Sequence, residues 1–151
     1  MVQQNEILFK EIDLIQSCIN RMAQNSFVVK GWTITLVAVV LALLPEKVDM
    51  WMLSIIGILA TLCFWYLDAF FLKMERLYRW KYEWVIKKRA NSDKFYYDLN
   101  PYNEKMWLPN DENPRKEPCV LKIMFTRTLI PIYIPLVFIS LLFLIKSFLN
   151  M

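Results

Sequence analysis

No histidine occurs anywhere in the chain, and glycine is represented only by Gly31 and Gly57. The first absence removes the usual general base, the commonest metal ligand and the side chain that titrates near neutral pH. The second leaves no glycine-rich loop to cradle a phosphate group. Cysteine is scarce and scattered, at Cys18, Cys63 and Cys119, in neither a disulfide framework nor a metal-binding spacing. No paired carboxylates or nucleophile motif stand out, so the sequence predicts no catalytic residues, no metal, no cofactor and no enzyme. Of enzyme readings, one acting on lipid is the weakest of the hypotheses, because no residue constellation stands for it. The start of the chain is polar and carries no apolar core followed by a cleavage site. No cleavable signal is expected, and the amino terminus is expected in the cytoplasm.

What the chain has in abundance is apolar sequence: 57% of its 151 residues are hydrophobic, too many for an ordinary soluble domain. Residues 51–72, WMLSIIGILATLCFWYLDAFFL, contain a single charge, Asp68. As a helix this stretch is about 33 Å long, enough to cross a hydrocarbon core of about 30 Å. Cys63 lies inside it, where a buried, inert thiol is expected. Residues 27–44, FVVKGWTITLVAVVLALL, form a first, shorter span with Lys30 near its beginning and Pro45 after its end. A tight polar connection over 45–50 turns the two spans into an antiparallel hairpin. A third uncharged run, 128–145, contains Pro131 and Pro135 one turn apart and predicts a kinked last span, a re-entrant course being the alternative.

The remaining segments are polar. Residues 3–26 read as an amphipathic helix whose stripe is Leu8, Ile12, Ile15, Ile19, Met22 and Ser26. That stripe packs on the chain's own helices or forms a seam between subunits. No breaker separates it from the first span. Beyond Leu72 the helical pattern continues to about Ala90 as a stalk, and 91–118 is rich in proline, turn residues and aromatics, which predicts a folded loop rather than disorder. The fold class is therefore an all-α membrane protein. Its expected parts are a cytoplasmic amphipathic helix (1–26), a transmembrane helical hairpin (27–72), a cytoplasmic stalk helix with an aromatic loop (73–118), and a third transmembrane helix with a short outer tail (119–151). Residues 73–122 hold 12 Lys or Arg, whereas the first connection and the tail hold one each, Lys47 and Lys146. The positive-inside rule then puts the amino terminus and the middle segment in the cytoplasm and the carboxyl terminus outside.

Two groups of residues stand out as candidates. Counted from the shared turn, Lys30 and Asp68 reach similar depths, so they form either an ion pair that locks the hairpin or a gate at a pore mouth. The bases Arg79, Lys81, Lys87, Lys88 and Arg89 follow the span; they read as topology charge and lipid-headgroup contacts, or as an anion site beside Trp80, Tyr82 and Trp84. The span hydroxyls Thr33, Thr35, Ser54, Thr61 and Ser140 are expected to bond within the helices.

The stretches INRMAQNSFVVKGWTITLV (19–37) and FWYLDAFFLKMERLYRWKYEWV (64–85) carry a K-G-W lead-in to the first span and the pattern L-D-x-x-x-L-x-x-E-R-L across the end of the second. They resemble small bacterial membrane effectors of nucleotide-signalling antiphage systems, the SLATT-like group, over roughly residues 7–88. The resemblance implies a homo-oligomer in the bacterial inner membrane that opens or disrupts it on an infection cue and arrests the cell, an abortive infection. The matching positions are Asn25, Lys30, Gly31, Trp32, Asp68, Glu75 and Arg76. The third span is a departure from the two-span pattern. The expected partners are the lipid bilayer, further copies of the chain, and a soluble protein or nucleotide signal in the cytoplasm. A membrane-anchored adaptor that docks a soluble cytoplasmic partner is the alternative.

Overall fold

A computed structural model describes residues 2–43, 50–89, 92, 94–109 and 114–149. Four α-helices make up most of it: α1 (Val2–Leu43), α2 (Met50–Lys88), α3 (Val120–Met124) and α4 (Ile130–Leu149), with a 3-10 turn at Glu104–Met106 and no strand among the described residues. Helices α1 and α2 run for 42 and 39 residues because neither contains a proline. Two helices, the one over Trp51–Lys88 and α4, are long and apolar enough to cross a membrane. The first expected span, 27–44, falls within α1 as far as Leu43. Of the expected connection over 45–50, Met50 is the first residue of α2, while residues 44–49 and the stalk end at Ala90 lie outside the described residues.

The contacts divide the chain into two compact units, Met1–Gln24 with Phe71–Cys119, and Asn25–Phe70 with Val120–Met151. In the first, Ile15, Cys18 and Ile19 of α1 pack with Tyr78, Trp84 and Val85 of α2 and with Met106. Leu8, Ile12 and Met22 pack against the same core, so this stripe is covered within the chain. Burying side chains of this size contributes about 1.5–3 kcal/mol each. The aromatic loop is folded onto that core. Trp107 is buried, donates from Nε1 to the Pro101 carbonyl at 3.1 Å and meets the Trp80 ring edge-on at 5.5 Å. The side chains of Asp98, Asn100 and Asn103 each accept a backbone N–H two residues on, at 2.8, 3.1 and 3.2 Å, which sets the turns between them.

The second unit is built the other way round. Its buried positions include Ser26, Thr33, Ser54, Thr61, Asp68, Ser140 and Ser147, while Phe27, Trp32, Ile34, Leu59, Phe138, Ile145 and Phe148 are exposed. Thr33, Thr61 and Ser140 bond to the carbonyls of Val29, Gly57 and Leu136 in their own helices, at 2.7–3.0 Å. Val37, Trp65, Ile123, Leu129 and Tyr133 are buried beside these polar residues. Hydroxyls and a carboxylate among the buried positions, with many large apolar side chains exposed, fit helices that pack in lipid. Gly57 sits where three helices meet: a Cβ there would lie 3.7 Å from Val40 of α1 and 3.6 Å from Ser140 of α4.

Two expectations are corrected here. Pro131 does not interrupt the last helix: α4 begins at Ile130, so Pro131 lies in its first turn, where no N–H partner is needed, and Pro135 alone is interior. Cys63 is exposed on the surface of α2 rather than buried.

Candidate functional site

Asp68 is the centre of the second unit. It is fully buried, and each of its oxygens takes two partners. Oδ1 accepts from the Ser26 hydroxyl and from Lys30 Nζ at 2.8 Å. Oδ2 lies 2.8 Å from the same ammonium and accepts from the Tyr133 hydroxyl at 2.9 Å. A carboxylate has about four lone-pair sites, so this one is saturated. Ser26 stands one turn before Lys30, and Lys30 Nζ also donates to the Ser26 hydroxyl at 2.6 Å. Lys30 alone of the four reaches the surface, with 21% of its side chain exposed.

Aromatic rings wall the cluster. Trp65, one turn before Asp68, stacks on Tyr133 with centroids 5.6 Å apart and planes 3° from parallel. Phe125 meets the same indole edge-on at 5.4 Å, and Trp65 Nε1 donates to the Met124 carbonyl at 3.0 Å. The cluster thus ties α1, α2 and α4 together through one carboxylate. Its net charge is zero. With no open coordination site at Asp68, the arrangement holds helices rather than a ligand.

Lys30 and Asp68, expected at equal depth, are in contact. Among the other motif positions, Asn25 is half-buried, whereas Gly31 and Trp32 are exposed and line an open notch of about 280 Å³ with Val28 and Thr35. Glu75 pairs with Arg79 at 2.7 Å across one turn of α2, and Arg76 is exposed.

The five bases expected to face an anion or lipid do not share a face. Lys87 and Lys88 are exposed in the last turn of α2, and Arg79 is exposed on Glu75. Lys81 is buried, donating to the Asn100 carbonyl at 2.8 Å beside Asp98 at 3.2 Å. Arg89 is buried against Glu11, which takes a forked pair of hydrogen bonds from its Nε and Nη2. Its remaining donors go to the carbonyls of Ser92, Lys94 and Phe95, and the guanidinium lies over the rings of Trp84 and Tyr96 at 5.2 and 4.6 Å. Inward-facing bases with internal partners leave no five-residue anion site. Trp84 is likewise buried in the core, and Trp80 lies between Trp107 and Arg115. Asp98 feels opposing influences. Burial pushes its carboxyl up, but hydrogen bonds from Asn103 and the Asn100 N–H, with the Lys81 charge, hold it below the usual carboxylate value.

Sequence reasoning missed Ser26 as a polar partner, and missed Tyr133 and Glu11 altogether. Ser26 carried a signal, since it lies four residues before Lys30 on the same stripe. Glu11 carried a weaker one: it stands four residues before Ile15, at the edge of the buried face. Tyr133 lay hidden between two prolines. No family model matches the chain, and no curated protein or solved structure matches it.

Proposed function

We propose that this protein is an oligomeric effector of the bacterial inner membrane that opens or disrupts that membrane in antiphage defence, by abortive infection. The observation that carries the membrane part is the pair of long apolar helices, whose large side chains in the second unit, such as Leu59, Phe138, Ile145 and Phe148, are exposed while hydroxyls and a saturated ion pair are among the buried groups. Only 28% and 17% of the two apolar windows are buried within the chain, so the rest requires lipid or further copies. The defence role comes from the K-G-W and L-D-x-x-x-L-x-x-E-R-L resemblance. In this reading an amphipathic helix leads into a transmembrane hairpin, a stalk and a third span, with the amino terminus cytoplasmic and the carboxyl terminus outside. Three helices per chain enclose no conduit, so several copies are required. The cue is a soluble partner or a nucleotide signal in the cytoplasm.

Expression of the chain in bacteria is expected to depolarise the cells, and the purified protein is expected to run as an oligomer and release an ion gradient from liposomes. A monomer in tight liposomes under every trigger would end this reading. The adaptor alternative draws on the first unit, where Tyr97 is exposed and, like Phe95, holds a positive φ (51° and 61°). A bulky residue in that region is strained, and strain of this kind gathers at functional loops. Capture of a stoichiometric soluble partner with no change in permeability would favour it.

A further inference from the structure

We infer that the hydroxyl of Tyr133, seated on the Asp68 carboxylate, is a latch that holds α4 closed against the α1 and α2 segments of its unit, and that the effector is activated by its release. The inference rests on the membrane-effector reading and adds its regulation. Its starting point is that the unit is sealed as it stands. Both oxygens of Asp68 are filled, and Lys30 and Ser26 are spent on the same cluster. Neither Asp68 oxygen is left over to line a water path, and of the four residues only Lys30 keeps an exposed edge.

The second step concerns what keeps α4 in place. Lipid tails are as apolar as leucine, so the hydrophobic effect does not drive α4 onto its neighbours in a membrane; packing and interhelical hydrogen bonds do. The next hydroxyl along α4, Ser140, donates back to Leu136 of its own helix. Tyr133 holds α2 through its hydroxyl on Asp68 and its ring stacked on Trp65. A hydrogen bond to a charged group of this kind shifts an equilibrium by about tenfold to a hundredfold. The segment 125–129 ahead of α4 is turn rather than α-helix, so the helix can leave without unwinding a continuous one. Once α4 leaves, Asp68 and Lys30 lose their cover. Both then need water or the polar groups of another copy, which couples opening to assembly.

The test uses the full chain in liposomes holding a self-quenching dye. Tyr133→Phe removes the latch hydroxyl and keeps the ring. It is expected to raise the basal release rate about tenfold or more. A second variant locks the same contact. Gly57→Cys with Ser140→Cys, on a background of Cys63→Ala and Cys119→Ser, places two thiols where a Cβ and a hydroxyl oxygen are 3.6 Å apart, within reach of a disulfide. Formation of that bond on oxidation reports that α4 is folded against α2. Added to Tyr133→Phe, the oxidised pair is expected to return release to the wild-type rate, and reduction is expected to restore the leak. If the wild type permeabilises liposomes while neither Tyr133→Phe nor oxidation changes its rate, the latch is overturned and the effector reading stands. If the wild type and every variant hold their dye, the effector reading falls and the latch falls with it.

Discussion

Replacing Arg89 by Met and Glu11 by Leu, singly and together, separates two roles that the guanidinium combines. One role is to neutralise Glu11, which is 1% exposed. The other is to hold the carbonyls of Ser92, Lys94 and Phe95 and so shape the loop that follows α2. Glu11→Leu leaves a buried guanidinium without its carboxylate, which costs about 3–5 kcal/mol. Arg89→Met leaves the converse orphan at similar cost and also frees three carbonyls. Lys94 is exposed, so water replaces its bond, but Ser92 and Phe95 are half-buried and each loses about 1–1.5 kcal/mol. The expected order is therefore Arg89→Met worst, at about 5–8 kcal/mol, then Glu11→Leu. The double variant is mildest, at about 2–3 kcal/mol, because no charge is left orphaned and only the loop bonds are missing.

The difference between the two single variants measures the share of the loop. Denaturant unfolding of the full chain in micelles, followed by tryptophan fluorescence, reads all three, since Trp84 lies 5.2 Å from the guanidinium. Against a total stability of about 5–15 kcal/mol, Arg89→Met takes the protein close to its limit. Trypsin cleavage after Lys94 gives a second readout: it should accelerate in Arg89→Met and in the double variant and stay slow in Glu11→Leu. Equal costs for the two single variants, within about 0.5 kcal/mol, would refute the reasoning and reduce Arg89 to a counter-ion.

Three further outcomes are expected. Asp68→Asn puts an amide among the Ser26 and Tyr133 donors and removes the counter-charge of Lys30, which is 21% exposed and still reaches solvent; the expected loss is about 1–3 kcal/mol by unfolding in micelles, and an unchanged midpoint would contradict the cluster. Because the Asp98 carboxyl sits below its ordinary value of 3.8, its contribution to stability is complete above that value and is lost as pH falls through the lower folded value. An acid titration of loop proteolysis should therefore show protection at neutral pH that fades below about pH 4, and Asp98→Asn should remove that pH dependence. Cys119 is exposed at the end of the first unit and Cys63 on an apolar helix face; in intact cells neither should take a membrane-impermeant maleimide, and in inverted vesicles Cys119 alone should. Labelling of Cys119 from outside would reverse the topology.

Much of the architecture was legible because it follows from period and run length. The stripe Leu8, Ile12, Ile15, Ile19, Met22 and Ser26 is a property of spacing alone; its first five residues line a core, whereas Ser26 meets Asp68 instead. A helical pattern that meets neither proline nor glycine continues whether it is apolar or charged, and neither stands between Leu72 and Lys88, which is why α2 runs well past Leu72. The pair of Lys30 and Asp68 was within reach because an expected tight connection lets depth be counted along both flanking helices, and the two are in contact. Counting stops at the next element. Nothing in the linear order says that Tyr133, 65 residues after Asp68, completes the carboxylate, or that Arg89 turns back to Glu11 across 78 residues. Charge runs mislead for the same reason. Lys81 and Arg89 look like members of a basic surface until their acidic and carbonyl partners are known.

The Glu11–Arg89 and Lys30–Asp68 pairs are built differently, and the difference bears on which of them can move. Glu11 and Arg89 meet through a planar fork, and every remaining guanidinium donor goes to a backbone carbonyl. A guanidinium loses its charge at no accessible pH, and such a fork tolerates little displacement. Lys30 meets Asp68 as a point charge on a flexible stem, with two hydroxyls completing the shell. Hydroxyls rotate and can be replaced one by one by water, whereas three backbone carbonyls and a fork must be surrendered together. The Arg89 pair therefore suits a unit that keeps its shape, and the Lys30 pair suits a contact that opens. If either unit changes state in the membrane, it is the one closed by Asp68.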